Sequence, residues 1–194
     1  MRKTFLALIQ RAHFSHGHSY DRYTVRMFHG IHRRVADDVA AAAPEGATVL
    51  DAGCGSGRLA VEIALRRPDL RVHGIDLEAG MIEVAVQHAE QQNVADRVQF
   101  TVADLADLRL PADSVDMIVS TASMHHWADA GAVVASLGRV LRPDGRMWIY
   151  DFRLVPSGRV RAAARDLSRR MDRTLIRTGR FPAALFQRLA VEPA

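Results

Sequence analysis

The sequence predicts an α/β fold: a doubly wound, Rossmann-like and mostly parallel sheet with helices on both faces. Short β-type runs alternate with longer helical runs along most of the chain, which is the pattern of successive βαβ units. The run 115–123 is apolar through its centre, as expected of a strand that is buried on both faces. A glycine-rich loop, 51–57, directly follows the first predicted strand, at the sheet edge where such folds bind ligands.

Helical periodicity and its breaks define the predicted helices. In the first helix, 24–43, apolar residues recur every three or four positions from Val25 to Val39, and Pro44 ends the helix. By the same criteria, further helices are predicted at 57–67, 78–93 and 129–141.

The predicted strands are short runs rich in apolar and β-branched residues, bounded by glycine, proline or acidic residues. The first five are expected at 47–51, 70–76, 97–104, 115–123 and 146–151, and a turn at 142–145 precedes the fifth. Right-handed crossovers between these strands would give the parallel part of the sheet.

Composition limits the protein to ordinary globular classes. With 194 residues, 48% of them hydrophobic and 25% charged, the chain is predicted to form a single domain. The single cysteine, Cys54, excludes an internal disulfide and a multi-cysteine zinc site, and it indicates a reducing compartment. No uncharged apolar run approaches the roughly 18–20 residues that span a bilayer. The apolar run 5–9 is too short for a signal peptide, so a cytoplasmic location is expected.

The charge of the chain is uneven. Residues 1–150 contain 16 basic and 18 acidic residues, whereas residues 151–194 contain 10 and 4. Several arginines of the basic segment are four residues apart, which is typical of a solvated helix face. The alternative is weak attraction to an anionic surface such as membrane headgroups or RNA. Few aromatic residues separate the arginines, so stable nucleic-acid binding is not expected.

The loop after the first strand, from Asp51 to Gly57, has the features of a cofactor cradle. Gly53 and Gly55 allow tight turns and close approach of a ligand to the backbone. A dinucleotide-binding loop would carry a further glycine where this chain has Arg58, and Asp51 would repel a pyrophosphate. A cofactor with an ammonium and a sulfonium group would instead tolerate or favour that carboxylate.

Two further acids lie at the ends of the second and third predicted strands. Asp76 has the position of a carboxylate that accepts hydrogen bonds from both hydroxyls of a ribose, although aspartate is also common as a helix N-cap. Asp104 could accept a hydrogen bond from an adenine amino group. Both assignments suit any cofactor that contains adenosine, so they do not choose between a dinucleotide and a sulfonium cofactor.

Together, these motifs resemble the class I S-adenosylmethionine-dependent methyltransferases, and most closely the branch of ubiquinone/menaquinone biosynthesis and small-molecule methyltransferases. The resemblance covers roughly residues 45–152, in order and at normal spacing. It is carried by the segments VLDAGCGSG, VHGIDLEAGMI, VQFTVADLADLRLPADSVDMIVSTASMHHW and LGRVLRPDGRMWIYDF. It implies S-adenosylmethionine as cofactor and S-adenosylhomocysteine as its product.

The resemblance also implies roles for individual residues. The methionine part of the cofactor would be held by the loop after the first strand, with Asp51, Gly53, Cys54, Gly55 and Gly57. The other implied contacts follow the next three strands. Asp76 would bind the ribose hydroxyls, and Asp104 would accept from the adenine amino group. The adenine would lie beside Leu77, Met81 and Leu105, and Thr121 would contact the cofactor from the opposite side.

The resemblance implies a seven-stranded sheet that ends in an antiparallel C-terminal hairpin. In this chain, 172–179 and 184–192 would form the hairpin after a helix at 158–171. The single domain, 1–194, would then contain an N-terminal helical lid segment, a cofactor-binding core and a basic helix with the closing hairpin: 1–45, 46–152 and 153–194. Tyr23, which with Tyr20 resembles the family's entry segment, would either close over the cofactor or pack as an ordinary aromatic residue.

Two histidines, His125 and His126, follow the fourth strand and are the candidate general bases. Methyl transfer from a sulfonium is an in-line displacement that proximity alone can accelerate, so a base is needed only where the acceptor atom carries a proton. The alternative is that these imidazoles hydrogen-bond the loop or line the cofactor site. No metal site is expected, since the histidines near the N-terminus lack an accompanying cluster of cysteine or carboxylate ligands.

The sequence therefore predicts methyl transfer from S-adenosylmethionine to a small organic acceptor. The alternatives are a methyltransferase of nucleic acid or protein, and a nonenzymatic protein that only binds the cofactor. The segment STASMHHW lacks the N-P-P-Y-like sequence of amino methyltransferases that act on adenine or glutamine. Arg58 and the extent of the match disfavour a dinucleotide-dependent oxidoreductase.

Overall fold

A computed structural model describes residues 17–177 and 185–194, with side chains from residue 30 onward within those ranges. The described helices, in chain order, are α1 (Gly17–Ala42), α2 (Arg58–Arg66), α3 (Ala79–Gln91), α4 (Ala130–Val140) and α5 (Gly158–Asp166). The strands are β1 (Thr48–Ala52), β2 (Arg71–Asp76), β3 (Val98–Val102), β4 (Val115–Thr121), β5 (Leu141–Phe152), β6 (Arg169–Ile176) and β7 (Phe186–Pro193). Short 3₁₀ helices follow β3 and β4, at Leu105–Asp107 and Met124–His126.

The described strands form one seven-stranded sheet in the order β3-β2-β1-β4-β5-β7-β6. Strands β1 to β5 pair in parallel, and β7 pairs antiparallel with both β5 and β6. The order reverses between β1 and β4, which places the topological switch point at the carboxyl ends of these two strands. The predicted fold class, a mostly parallel doubly wound sheet with a C-terminal antiparallel hairpin, is confirmed.

The core lies on both faces of the central strands. In β4, Met117, Ile118 and Val119 have no exposed surface, as the apolar centre of this run predicts. In α1, Ile31 and Val35 are likewise fully buried, on the stripe that the helical spacing predicts. Burial of each such side chain stabilises the folded state by about 1.5–3 kcal/mol. This packing holds the central strands in place, and with them the loops at their carboxyl ends.

The turn predicted at 142–145 lies inside β5 rather than before it. Leu141 pairs with Val115 and Arg146 with Met117, so the residues between them bulge out of the ladder. At Gly145 a Cβ atom would lie 2.6 Å from a methyl carbon of Leu141 and 2.8 Å from a backbone oxygen of β4, which explains the glycine.

The other boundaries differ from the sequence prediction by small amounts. Helix α1 begins at Gly17 rather than at residue 24, and α5 ends at Asp166, five residues earlier than expected. Ser168 has φ 55°, a left-handed conformation that turns the chain from α5 into β6. The hairpin connection, 178–184, lies outside the described residues.

Among the described helices, none combines the length and the apolar character that a membrane-spanning helix needs. The division of the chain into lid, core and hairpin segments remains a prediction.

Candidate active site

The loop between β1 and α2 is folded back onto the end of β2. The backbone N–H groups of Gly53 and Cys54 both donate to the carbonyl of Ile75, at 2.8 and 3.0 Å. Within the loop, the N–H of Gly57 donates to the carbonyl of Cys54 at 3.0 Å. The loop is therefore held at the switch point of the sheet by its own backbone.

Three glycines of this loop, Gly53, Gly55 and Gly57, have positive φ angles that larger residues would not adopt easily. Gly53 has φ 76°, and a Cβ atom there would lie 2.0 Å from the hydroxyl oxygen of Ser123, in the segment after β4. Gly55 has φ 51°, and no described atom lies within 4 Å of its Cβ position. The loop thus packs tightly against the β4 segment at Gly53 and is open to a ligand at Gly55.

Asp51, at the end of β1, is a buried carboxyl group with an unsatisfied oxygen. The residue is 1% exposed, and among the described atoms its Oδ2 has no hydrogen-bond partner. Burial and the nearby Asp76 carboxylate raise the pKa of Asp51 to about 7, although the backbone N–H of Ala60 partly opposes the shift. A positively charged ligand group at this loop would stabilise the ionised form.

Asp76 and Asp104 lie at the ends of β2 and β3, where the sequence predicts them. Asp76 accepts from the N–H of Gly55 at 2.8 Å and from the N–H of Glu78 at 3.1 Å, so it both fixes the loop and begins α3. Asp104 accepts from the N–H of Ala106 at 2.8 Å. Each carboxylate has further lone pairs, so hydroxyl or amino donors of a ligand can bind alongside these contacts.

The thiol of Cys54 is not poised to be a nucleophile. Its S–H donates to the carbonyl of Gly55 at 3.7 Å. Burial first, and then the neighbouring Asp51 and Asp76 carboxylates, raise the pKa of the Cys54 thiol. Cys54 therefore stays protonated and packs within the loop.

The remaining predicted cofactor contacts lie around the same edge. Leu77 is 67% exposed and directly follows Asp76, the half-buried last residue of β2. Met81, four residues later, is half-buried. Leu105 is buried beside Asp104. Thr121 ends β4, and among the described atoms its buried hydroxyl has no hydrogen-bond partner. An apolar ring of a ligand could pack against the exposed leucine while a sugar hydroxyl donates to the neighbouring strand-end acid.

The two candidate bases differ in their surroundings. The side chain of His125 is 2% exposed, and its Nδ1 lies 2.9 Å from Oδ1 of Asp151, which is fully buried at the end of β5. The ring of His126 lies on that of His125, with 4.0 Å between ring centroids, and His126 is exposed.

Sequence reasoning missed Asp151. The rule that located Asp51, Asp76 and Asp104, an acid at the carboxyl end of a predicted strand, also applies to the fifth strand. Asp151 follows that strand's apolar run and could have been found in the same way.

Predictions near the N-terminus fall largely outside the described side chains. Tyr20 and Tyr23 lie on the described backbone of α1, but their side chains are outside the described residues. The histidines near the N-terminus, for which no metal site is expected, include His13 and His16, and these two lie outside the described residues altogether.

The side chains at this edge fit S-adenosylmethionine. Asp51 offers an unsatisfied buried carboxyl oxygen to a cationic group, and the open side of Gly55 allows close approach to the loop. Asp76 and Asp104 offer acceptors to ribose hydroxyls and to an amino group, and exposed Leu77 offers an apolar surface.

Residues 49–145, half of the chain, match the family model described as a methyltransferase domain. The chain is 39% identical over 126 residues to 27-O-demethylrifamycin SV methyltransferase of Amycolatopsis mediterranei, covering 64% of this chain and 46% of that protein. It is 33% identical over 111 residues to the ubiquinone/menaquinone biosynthesis C-methyltransferase of Geotalea daltonii, covering 57% and 47%. The chain thus spans less than half the length of these two relatives.

The fold is also that of a solved structure, a putative S-adenosyl-L-methionine-dependent methyltransferase from Methanococcus maripaludis. The two share a TM-score of 0.75 and 17% identity over 90% of each chain. The matched family model and the shared fold identify this chain as a member of the class I S-adenosylmethionine-dependent methyltransferases.

Proposed function

We propose that this protein transfers the methyl group of S-adenosylmethionine to a small organic acceptor. The observation that carries the proposal is the placement of Asp51, Asp76 and Asp104 at the carboxyl ends of β1, β2 and β3, with Asp76 bonded to the glycine loop at Gly55. Asp51, with Gly53, Cys54, Gly55 and Gly57, would hold the methionine part of the cofactor. Ribose and adenine would be bound by the residues after β2 and β3, namely Asp76, Leu77, Met81, Asp104 and Leu105, and Thr121 would contact the cofactor from the β4 side.

When bound, the cofactor supplies a methyl group on a positively charged sulfur, an electrophile that needs no protein nucleophile. The protein's part is to position the two reactants and to arrange charge around them. Asp51 provides negative charge next to the loop, and the protonated Cys54 does not compete as a methyl acceptor.

A small molecule is favoured as the acceptor for two reasons. The relatives named above are a methyltransferase of demethylrifamycin and one of quinone biosynthesis, and both act on small organic compounds by their names. Moreover, the basic C-terminal segment is used within the chain. For example, Arg169 donates to the carbonyls of Arg142 and Gly145, and Arg173 to the side chain of Gln187. These contacts support a structural role over attraction to an anionic surface.

The cytoplasm is the proposed location, supported by the single cysteine, which has no partner for a disulfide within the chain.

Turnover tests the proposal directly. The protein is incubated with cofactor that carries a labelled methyl group and with fractions of a metabolite extract, and transfer of label is followed by mass spectrometry. Label is expected in a component of the small-molecule fraction. Binding of cofactor without label in any fraction would establish a nonenzymatic cofactor-binding protein, and label in nucleic acid or protein would establish the other alternative.

A further inference from the structure

The two edge strands of the sheet, β6 and β3, differ in how their sequences protect them. Natural proteins protect an exposed strand edge with charged residues, proline, bulges or a covering segment, because unpaired backbone groups attract other strands. β6 contains four charged residues, Arg169, Arg170, Asp172 and Arg173. β3 has the sequence VQFTV, without a charged residue, a proline or a glycine. The sequence of β3 therefore does nothing to prevent pairing with a further strand.

The outer edge of β3 is also open, within the ranges that the structure describes. Gln99 and Thr101 are exposed, and Val102 is 48% exposed. A hollow of about 320 Å³ lies between β3 and α3, where Val86 and Ala89 line it from the helix. An apolar side chain from a further strand at this edge would have a place to pack.

The ladder between β2 and β3 determines which backbone groups of β3 point outward. At one end of the ladder the N–H of Val72 donates to the carbonyl of Arg97 at 2.9 Å, and at the other end the N–H of Ala103 donates to the carbonyl of Asp76 at 3.0 Å. The two strands are parallel and in continuous register between these bonds. Because the bonds of a parallel ladder are evenly spaced, every second residue of β3 bonds to β2. These are the odd-numbered residues, so the even-numbered residues direct their backbone groups away from the sheet.

The outward groups belong to Val98, Phe100 and Val102. The N–H of Val98 is already used, since it donates to the carbonyl of Val94 at 3.1 Å. The carbonyl of Val98 and both backbone groups of Phe100 and Val102 have no partner in β2. A further strand at this edge would satisfy them.

The strand β3 is complementary to a second copy of itself. In an antiparallel pair centred on Phe100, the two Phe100 residues exchange N–H···O=C bonds, and the N–H of Val102 donates to the carbonyl of Val98 in the other copy. Val98 then lies opposite Val102, and Gln99 lies opposite Thr101. Since strand side chains alternate between the two faces, the apolar pairs share the face of α3 and the polar pairs share the other face. The exposed Val102 of each copy thereby reaches the hollow that Val98 and Phe100 line in the other.

We infer that the protein forms a homodimer in which the β3 strands of two copies pair antiparallel about a two-fold axis and join the two sheets into one. Both members of every apolar and polar pair come from the same five residues, which favours a second copy over an unrelated strand. A two-fold interface uses the same surface on both copies and closes the assembly. The outer edges of the joined sheet are then the two β6 strands, whose charged residues oppose further growth. The inference does not depend on the identity of the methyl acceptor.

Light scattering coupled to gel filtration tests the interface. The wild-type protein is expected to have twice the mass of the chain at micromolar concentrations. Val102→Lys places a charge where the apolar pair would form, as natural edge strands do, so this variant should have the mass of a single chain. Leu175→Lys is the matched control, since it makes the same change at a 53% exposed position of the other edge strand, and it should remain dimeric.

Three outcomes of this experiment would overturn the inference. The first is a wild-type protein that is monomeric at every concentration. The second is a dimer that persists in Val102→Lys, and the third is a dimer that is lost in Leu175→Lys as well. Circular dichroism spectra equal to that of the wild type establish that both variants are folded.

Hydrogen exchange of the wild-type protein tests the register without any variant. In the dimer, the amides of Phe100 and Val102 should exchange as slowly as those of Gln99 and Thr101, which bond to β2 and serve as the internal control. Fast exchange at Phe100 and Val102 in the dimeric protein would overturn the inference, even if Val102→Lys does not fold. Slow exchange that appears only after another protein is added would assign the edge to a different partner and would also overturn it.

Discussion

At the scale of single residues, Asp51 connects stability with cofactor binding. Its carboxyl group is buried and lies near Asp76, and both effects favour the protonated form, with a pKa of about 7. A cation bound at the loop would favour the ionised form instead. The residue that would attract the cofactor is thus a source of instability in the free protein.

Replacement of Asp51 by asparagine is expected to stabilise the free protein above neutral pH. Because the pKa of Asp51 is higher in the folded than in the unfolded protein, stability falls as pH rises from about 4 to about 7 and then levels off. The shift corresponds to about 4 kcal/mol, which is the expected gain of Asp51→Asn in the free energy of unfolding at pH 8. The gain should shrink towards zero near pH 4, as measured by denaturant unfolding. An equal gain at pH 4 and pH 8 would show that the pKa of Asp51 is the same in the folded and the unfolded protein.

The same residue predicts that cofactor affinity depends on pH. Binding of a positively charged ligand beside Asp51 requires loss of its proton, so affinity should increase between about pH 6 and pH 8. Calorimetry in buffers of different ionisation enthalpy would detect the released proton. In Asp51→Asn this proton release should be absent, and its persistence there would assign the proton to another group.

At the scale of elements, the sequence predicted the positions of the strands better than it predicted the bulge in β5. Hydrophobic runs predicted all five parallel strands, with the largest error at the start of β5, which begins five residues earlier than expected. The apolar signature is clearest in β4, which is buried on both faces. The sequence Arg-Pro-Asp-Gly at 142–145 was interpreted as a turn before β5, whereas it is a bulge inside the strand. Arg169 donates to carbonyl groups of this bulge, and it lies too far along the chain for a local sequence pattern to reveal the contact.

Among the candidate site residues, local features could likewise be predicted from the sequence, whereas contacts between distant segments could not. The strand-end acids and the glycine loop could be predicted, since they depend on local sequence and on the general rule that ligands bind at the carboxyl ends of parallel strands. The partner of His125 could not be assigned from spacing, because pairing with Asp151 depends on β4 and β5 being neighbours in the sheet. The roles of the predicted contacts with the cofactor remain predictions.

The bulge of β5 provides a stability test at this scale. Arg169 donates to the carbonyls of Gly145 and Arg142 at 2.6 Å and to that of Pro143 at 3.2 Å. Arg169→Ala removes these donors, and we expect a loss of about 2–3 kcal/mol in the free energy of unfolding. The control is Arg109→Ala, since the Arg109 side chain is 90% exposed. Equal stability of the two variants would show that the bulge holds itself in place.

At the scale of the whole molecule, the basic C-terminal segment serves the closing hairpin. Arg170 pairs with Glu192 across the β6–β7 hairpin, and Arg173 joins β6 to Gln187 of β7 and to the carbonyl of Arg153. The excess of arginine therefore stabilises the antiparallel end of the sheet, and it leaves fewer charges available to bind phosphate groups.

This use of arginine predicts weak and nonspecific association with nucleic acid. Fluorescence anisotropy with labelled RNA and DNA at about 50 and about 200 mM salt should show no stable complex at the higher concentration. Tight binding that survives about 200 mM salt would favour the nucleic-acid methyltransferase over the small-molecule enzyme.

The central claim is that the strand-end acids bind S-adenosylmethionine, and calorimetric titration of the cofactor tests it most directly. Asp76→Ala removes the acceptors for the ribose hydroxyls, each worth about 1.5–3 kcal/mol as a charge-assisted hydrogen bond, so affinity should fall by about 10-fold or more. Asp96→Ala, at an exposed position, serves as the control and should bind as the wild type does. We predict a single site in the wild-type protein that is weakened only in Asp76→Ala, and equal affinity of all three proteins would contradict the account.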